Sequence, residues 1–379
     1  METSRRRFLE GLGLGALATG MGLGIQGVSR AETDRPGQRE PLASASKVSQ
    51  IRLDQNENPL GPSPRVAKIL SSSTSRISEY PQMSYGSLRE VLGRFHGVSP
   101  SWVVPTCGST EALQVLFRAF VREGSGVVHA SPTFHQIPPL VELALAESRS
   151  VASEKDGTLD PRKILRAIDR RTSLLLLINP HNPTGTVIDQ AVLRQVLSAV
   201  PTNLVVAVDE AYCHYASKTL FQSVVPLIAR HPGLVVLRSF SKAYGLAGLR
   251  VGYALAQDSL SVQLDRQKLV AGVGSLAESA VPVALEDQAH VQRSVDHNKV
   301  VREELAKGLI GLGFNLSPSE ASFVRVDLGR DASDLVSFLA EGGFLVHRSA
   351  FDPKAVRISV GTAPQTRALL DRLRNWSHG

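Results

Sequence analysis

The chain has 379 residues, with 42 Lys and Arg against 35 Asp and Glu, for a net charge of +7. Its 42 % hydrophobic and 20 % charged residues are ordinary globular composition, which excludes a disordered polymer, and at roughly 100–200 residues per domain its length suggests two domains. Two cysteines, Cys107 and Cys213, exclude a disulfide scaffold and a cysteine-cluster metal site, and the basic residues are too scattered to suggest a nucleic-acid partner.

Residues 1–31 read as an address. Ser4-Arg5-Arg6-Arg7-Phe8-Leu9 is followed by a mildly apolar, Gly-rich run from Gly11 to Val28, and small residues stand at Ser29 and Ala31. This resembles a twin-arginine export signal cleaved near Ala31, which implies the twin-arginine translocation machinery as a partner and a periplasmic or exported destination. Repeated glycine weakens a membrane-spanning helix, so no stable anchor is expected once the leader is removed. Gly13 to Ala18 also fits G-x-G-x-x-A, but arginines rather than a strand precede it, so a dinucleotide site is not expected there.

Residues 32–50 are polar, with Pro36 and Pro41, and predict an extended arm. From about 85 onward helical patterns alternate with short apolar runs: Gly126 to Val128, Leu174 to Ile178, Leu204 to Val208 and Leu234 to Leu237. Such runs predict buried parallel strands of an α/β sheet. A long helical pattern is predicted around 285–315, followed by strands at Phe323 to Leu328, Phe344 to Val346 and Val356 to Val360, with helices near 333–341 and 364–375. The expected organisation is a leader (1–31), an arm and a segment joining a smaller domain (32–74), a large domain (75–284) and a small carboxyl-terminal α/β domain (285–379).

Three of the apolar runs end in polar clusters. Leu174 to Ile178 leads into Asn179-Pro180-His181-Asn182-Pro183-Thr184-Gly185, Leu204 to Val208 into Asp209-Glu210-Ala211-Tyr212, and Leu234 to Leu237 into Arg238-Ser239-Phe240-Ser241-Lys242. Parallel strands carry ligand groups at their carboxyl ends, so the three clusters predict one shared site. Thr106-Cys107-Gly108-Ser109-Thr110 opens a helix whose free N–H groups favour an anion.

The string Ser239 to Arg250 resembles the lysine motif of fold-type I pyridoxal-phosphate aminotransferases of class I and II, and Asn182 to Gly185 and Asp209 to Tyr212 resemble two more of their motifs. Leu53 to Pro64 and Arg357 to Thr362 are similar to motifs of the histidinol-phosphate aminotransferase branch, and the likeness spans about residues 50–375. It implies a large domain with a mostly parallel sheet, a small α/β domain, a homodimer, and pyridoxal 5'-phosphate as cofactor. Lys242 would hold the cofactor as a Schiff base and act as proton shuttle, with Asp209 on the ring nitrogen and Tyr212 and Asn182 on the phenolic oxygen. Ser109, Thr110, Ser239, Ser241 and Arg250 would cradle the phosphate, Phe134 would stack on the ring, and Tyr80 would reach the phosphate of a partner subunit. Arg357, with Asn182, would hold the substrate carboxylate. No metal is expected, since H-E-x-x-H is absent.

The chain departs from the branch at Leu60, at Ile137, around Val270-Ala271-Gly272, and at His347, where Arg is expected and arrives one place later as Arg348. The branch lines its substrate side at these positions. The expected reaction is therefore amino transfer between an amino acid, or an amine-bearing metabolite, and a 2-oxo acid, on an extracytoplasmic substrate other than histidinol phosphate. Two alternatives stand: a lyase or decarboxylase resembling threonine-phosphate decarboxylase, and a genuine histidinol-phosphate aminotransferase.

Overall fold

The computed structural model describes residues 50–154 and 156–376, so the leader and nearly all of the arm lie outside the described residues. Two sheets organise the chain. β1 (Ile51–Leu53) belongs to the smaller one; β2 (Val103–Thr106), β3 (Gly126–Ser131), β4 (Glu147–Ala152), β5 (Thr172–Ile178), β6 (Val205–Asp209), β7 (Leu234–Ser239) and β8 (Gly252–Leu255) form the larger. β9 (Asn315–Leu316), β10 (Phe323–Asp327), β11 (Phe344–Ser349) and β12 (Asp352–Ser359) return to the smaller sheet, where β1 pairs in parallel with β11.

The large sheet runs in the order β2-β8-β7-β6-β5-β3-β4. Only β8 is reversed: it pairs antiparallel with β2 and β7, while the remaining pairs are parallel. Both faces are buried, which is why the central strands read as unbroken apolar runs. Leu175, Leu177, Val206, Val208, Leu234 and Val236 enter one core, and Leu174, Leu176, Val205, Ala207, Val235 and Leu237 enter the other. A third core, under the small sheet, gathers Leu53, Leu305, Leu309, Val324, Val356 and Leu369.

The long helix expected over 285–315 is present as Gln288–Gly311, and a shorter helix, Ser275–Glu286, precedes it. The Asp287 side chain accepts from the His290 N–H at 3.2 Å and caps the long helix. β4 was not foreseen: it is an edge strand, Glu-Ser-Arg-Ser-Val-Ala, with one buried side chain, so it lacks the apolar signature of its neighbours.

Candidate active site

β5, β6 and β7 are parallel neighbours, with Ile178 opposite Asp209 and Asp209 opposite Leu237. Their polar ends therefore share one edge. β2 runs the same way across the reversed β8, so helix Gly108–Phe120 also opens there. At this edge lies a cleft of about 370 Å³. It is lined by Lys242, Asp209, Tyr212 and Asn182, by Ser109, Thr110, Ser239, Ser241 and Arg250, and by Phe134 and Arg357. Of the expected site residues only Tyr80 is absent from it. That ring is 83 % exposed on its own chain, in the segment before helix Gly86–His96.

Lys242 enters the cleft just after β7. Its Nζ donates to the carbonyl oxygens of Gln55 (3.1 Å) and Asn56 (3.3 Å) and lies 5.3 Å from the centre of the Tyr212 ring. Asp209 ends β6 deep in the protein, with partial solvent contact through the cleft. Its Oδ1 accepts the Ala211 N–H at 2.9 Å. Burial pushes this carboxyl up to about 6, against the pull of that N–H. A buried carboxylate with so little compensation is a site prepared for a cation.

The residues expected to cradle an anion come from the opening of helix Gly108–Phe120 and from the segment after β7. Cys107 caps helix Gly108–Phe120 by position alone, with no side-chain hydrogen bond, so Ser109 and Thr110 lie in the first turn rather than at the cap. Arg250, in the left-handed region at φ +51°, donates through Nη1 to the Ala247 carbonyl (2.9 Å) and Ser241 Oγ (3.4 Å). Ser239 Oγ accepts the Ser241 N–H at 3.0 Å. Gly108 has φ +75°, and a Cβ there would lie 2.6 Å from Arg250 Nη2. Gly108→Ala is expected to push the guanidinium out of the cradle and to add backbone strain of about 1 kcal/mol or more. Fluorescence titration of the cofactor-free protein should show at least tenfold weaker binding of pyridoxal phosphate.

Arg357, on β12, is buried and donates to Asn182 Oδ1 and to the Asp54 carbonyl, both at 2.8 Å. Its Nε is buried without a partner. Burial lowers the affinity of this guanidinium for its proton, while Tyr212 and Asp54 oppose that shift.

The register at the substrate side is now visible. His347 on β11 lies opposite Arg357 on β12, with its ring 5.4 Å from that of His135. Arg348 turns to the other face, where it pairs with Asp331 and donates to the Pro353 carbonyl. Both imidazoles are held below their ordinary range, by burial first and then by Arg357, and His347 falls to about 4. The site side of this strand thus carries a neutral imidazole, with the guanidinium facing away.

Sequence reading missed Asn56. It is 1 % exposed, adopts φ +55°, and donates through Nδ2 to the Tyr212 hydroxyl at 2.9 Å, whereas Asn182 reaches the same oxygen only at 3.5 Å. Ser359 fixes it from β12: its Oγ accepts the Asn56 N–H at 2.8 Å and donates to Asn56 Oδ1 at 3.0 Å. The signal was present in the Asp54-Gln55-Asn56-Glu57-Asn58-Pro59 string, but nothing local shows that this string folds back over the cleft.

Residues 48–373 match the family "Aminotransferase class I and II". The chain belongs to this family. Among similar proteins, histidinol-phosphate aminotransferase of Geobacillus thermodenitrificans is 35 % identical over 325 residues, covering 85 % of this chain and 89 % of that protein. The Bacillus subtilis histidinol-phosphate aminotransferase is 33 % identical, covering 84 % and 89 %. The crystal structure of histidinol-phosphate aminotransferase from Sinorhizobium meliloti in complex with pyridoxal-5'-phosphate superposes with a TM-score of 0.80 at 26 % identity, covering 86 % of this chain and 91 % of that one. Aspartate aminotransferase of Thermus thermophilus, as a double mutant, gives 0.76 at 25 %, covering 86 % and 91 %. The fold is that of type I pyridoxal-phosphate enzymes, and this aminotransferase uses that cofactor.

The cleft fits the cofactor by its own chemistry. Asp209 would be a buried acceptor for a pyridinium N–H, Lys242 would supply the amine, and the helix opening with Arg250 would take a phosphate. Among the described residues no group of His, Cys, Asp and Glu is placed to hold a metal ion, and no helix is long and apolar enough to cross a membrane.

Proposed function

We propose that this aminotransferase moves an amino group between an α-amino acid and a 2-oxo acid, on a substrate other than histidinol phosphate, in an exported or periplasmic setting. The observation that carries the substrate reading is Arg357, a buried guanidinium at the cleft with one nitrogen unpartnered, beside a neutral His135–His347 pair. A planar guanidinium suits a carboxylate in bidentate pairing. With Arg348 turned away, this strand adds no fixed positive charge for a second anion on the site side.

Pyridoxal phosphate supplies an electron sink conjugated to the substrate nitrogen. Asp209 holds the proton on the ring nitrogen. Lys242 Nζ would take the proton from the substrate α-carbon and return it, as general base and then general acid. Tyr212, aligned by Asn56 and Asn182, hydrogen-bonds the phenolic oxygen. Arg357 fixes the carboxylate and so chooses which α-carbon bond stands beside Lys242. Tyr80 would complete the phosphate site of a partner subunit, making the working form a homodimer. The twin-arginine pattern at Arg5-Arg6-Arg7 supports export of the folded chain.

The test is a single-turnover half-reaction with the loaded protein and a panel of amino acids and histidinol phosphate. Stoichiometric 2-oxo acid from an α-amino acid is expected, with kcat/KM for histidinol phosphate at least a hundredfold lower. Preferred turnover of histidinol phosphate, or carbon dioxide without 2-oxo acid, would overturn the proposal.

A further inference from the structure

Strand alternation sorts the ends of β6 and β7 onto two faces. Asp209 and Ser239 follow the odd-numbered positions onto the cleft face, while Glu210 and Arg238 turn to the opposite core. There they meet. Glu210 Oε2 is 2.6 Å from Arg238 Nη2, with the carboxylate side chain fully enclosed and the guanidinium side chain 9 % exposed. Ser223 Oγ bridges both, donating to Glu210 Oε2 at 2.8 Å and accepting from Arg238 Nη2 at 2.9 Å. The Val224 N–H donates to Glu210 Oε1, and Arg238 Nη1 donates to Cys213 Sγ, each at 2.8 Å. One charge follows Asp209 in sequence and the other precedes Ser239.

We propose that Glu210 and Arg238 are a positioning pair whose opposed charges balance each other at Asp209 from behind the sheet, so that neither one displaces the charge state of the carboxylate that meets the cofactor ring. The inference rests on the cofactor reading and not on the substrate.

Its physical basis is cancellation. A buried carboxylate one residue from Asp209 repels its negative charge, and a buried guanidinium on the next strand attracts it; as a pair they leave a small net field. Glu210 raises the Asp209 carboxyl and Arg238 lowers it, both smaller than the effect of burial. The other groups facing Asp209 are Lys242 from the loop after β7, and Tyr212 and Cys213 on its own loop. Cys213 stays a thiol, because burial pushes it up to about 12. Around Arg238 stand His96 and His214, each held neutral near 3 by burial and by that guanidinium, and the phenols of Tyr244 and Tyr253, raised by burial. Among the described residues, Glu210 and Arg238 are thus the two charges behind the sheet that act on Asp209.

The two charges act with opposite sign, which a purely structural role would not do. The measurement is the pH dependence of binding of 4'-deoxypyridoxine 5'-phosphate, a cofactor analogue without the aldehyde, to the full chain stripped of cofactor. Binding needs Asp209 ionised, so affinity falls on the acid side; the titration of the analogue's phosphate is common to all variants and drops out of the difference. Glu210→Gln leaves the guanidinium unopposed and is expected to move the acid midpoint down by at least 0.5 pH unit. Arg238→Met leaves the carboxylate and is expected to move it up by as much. The double variant, which buries no unpaired charge, is expected within 0.3 unit of the wild type. Should one single variant fail to fold, the other measured against the double variant carries the same signed comparison. Shifts in the same direction, or none of this size, overturn the inference. Loss of all analogue binding by the wild-type protein would instead overturn the cofactor reading.

Discussion

Lys242→Ala is expected to abolish amino transfer, lowering kcat by at least about 10⁴-fold, in line with the loss of a group that is both nucleophile and proton shuttle. The Schiff-base absorption band of the loaded protein should give way to that of the free aldehyde. The geometry explains why no neighbour can take over. Lys242 Nζ is held by the Gln55 and Asn56 carbonyls over the Tyr212 ring, and the other basic side chains of the cleft, Arg52, Arg250 and Arg357, are guanidino groups that offer no primary amine. Lys242→Arg separates charge from amine: it keeps the cation and should lose activity equally. The residues expected to cradle the phosphate are untouched in both variants, so retention of pyridoxal phosphate with the aldehyde band in place of the Schiff-base band is the expected pairing of results. An absorption spectrum and turnover like those of the wild type in either variant would remove Lys242 from the reaction.

Asp209→Asn is expected to lower kcat by at least about 10³-fold, equivalent to roughly 4 kcal/mol of transition-state stabilisation, because a neutral amide cannot hold a proton on the ring nitrogen. The same change should make the cofactor-free chain more stable. Burial raises the Asp209 carboxyl from 3.8 to about 6 in the folded chain. Between about pH 4 and 6 the folded state therefore binds more protons than the unfolded one. Its stability falls as pH rises through that window, and above pH 6 the full penalty stands. Asparagine carries no such charge and can still accept the Ala211 N–H. At pH 7.5 the cofactor-free variant should thus be more stable by about 1–3 kcal/mol, a few degrees in Tm, with the gap closing by pH 4. Loading with pyridoxal phosphate should reverse the order, since the pyridinium then pairs with the wild-type carboxylate. A melting series from pH 4 to 8, with and without cofactor, checks both signs; a wild type that is the more stable without cofactor at pH 7.5 would show that Asp209 is not strained by its burial.

The two variants bracket one design: a site that gives up stability when empty and regains it by binding. The buried guanidinium of Arg357, with Nε unpartnered, has the same character on the substrate side. Both groups are costly in an empty cleft and satisfied by a ligand of opposite charge.

Local signals in the sequence determined much of this. Apolar runs buried on both faces declared the parallel strands β3, β5, β6 and β7, and the polar clusters closing the last three marked the site edge, because both depend on residues adjacent in the chain. The string Ser239 to Arg250 carried the amine and part of the anion cradle within twelve consecutive positions. What tertiary structure alone decided are contacts made across long separations. Asn56 meets Tyr212 and Ser359 across 156 and 303 residues, and no periodicity records such a meeting. The register of β11 against β12 sets His347 rather than Arg348 opposite Arg357, a difference of one residue that reverses which side chain shares that face. The Glu210–Arg238 pair is likewise invisible along the chain, since Glu210 follows β6, Arg238 lies on the neighbouring β7, and the two meet only when those strands pair. Sequence fixes what each strand end carries; only packing fixes which of those groups share a field.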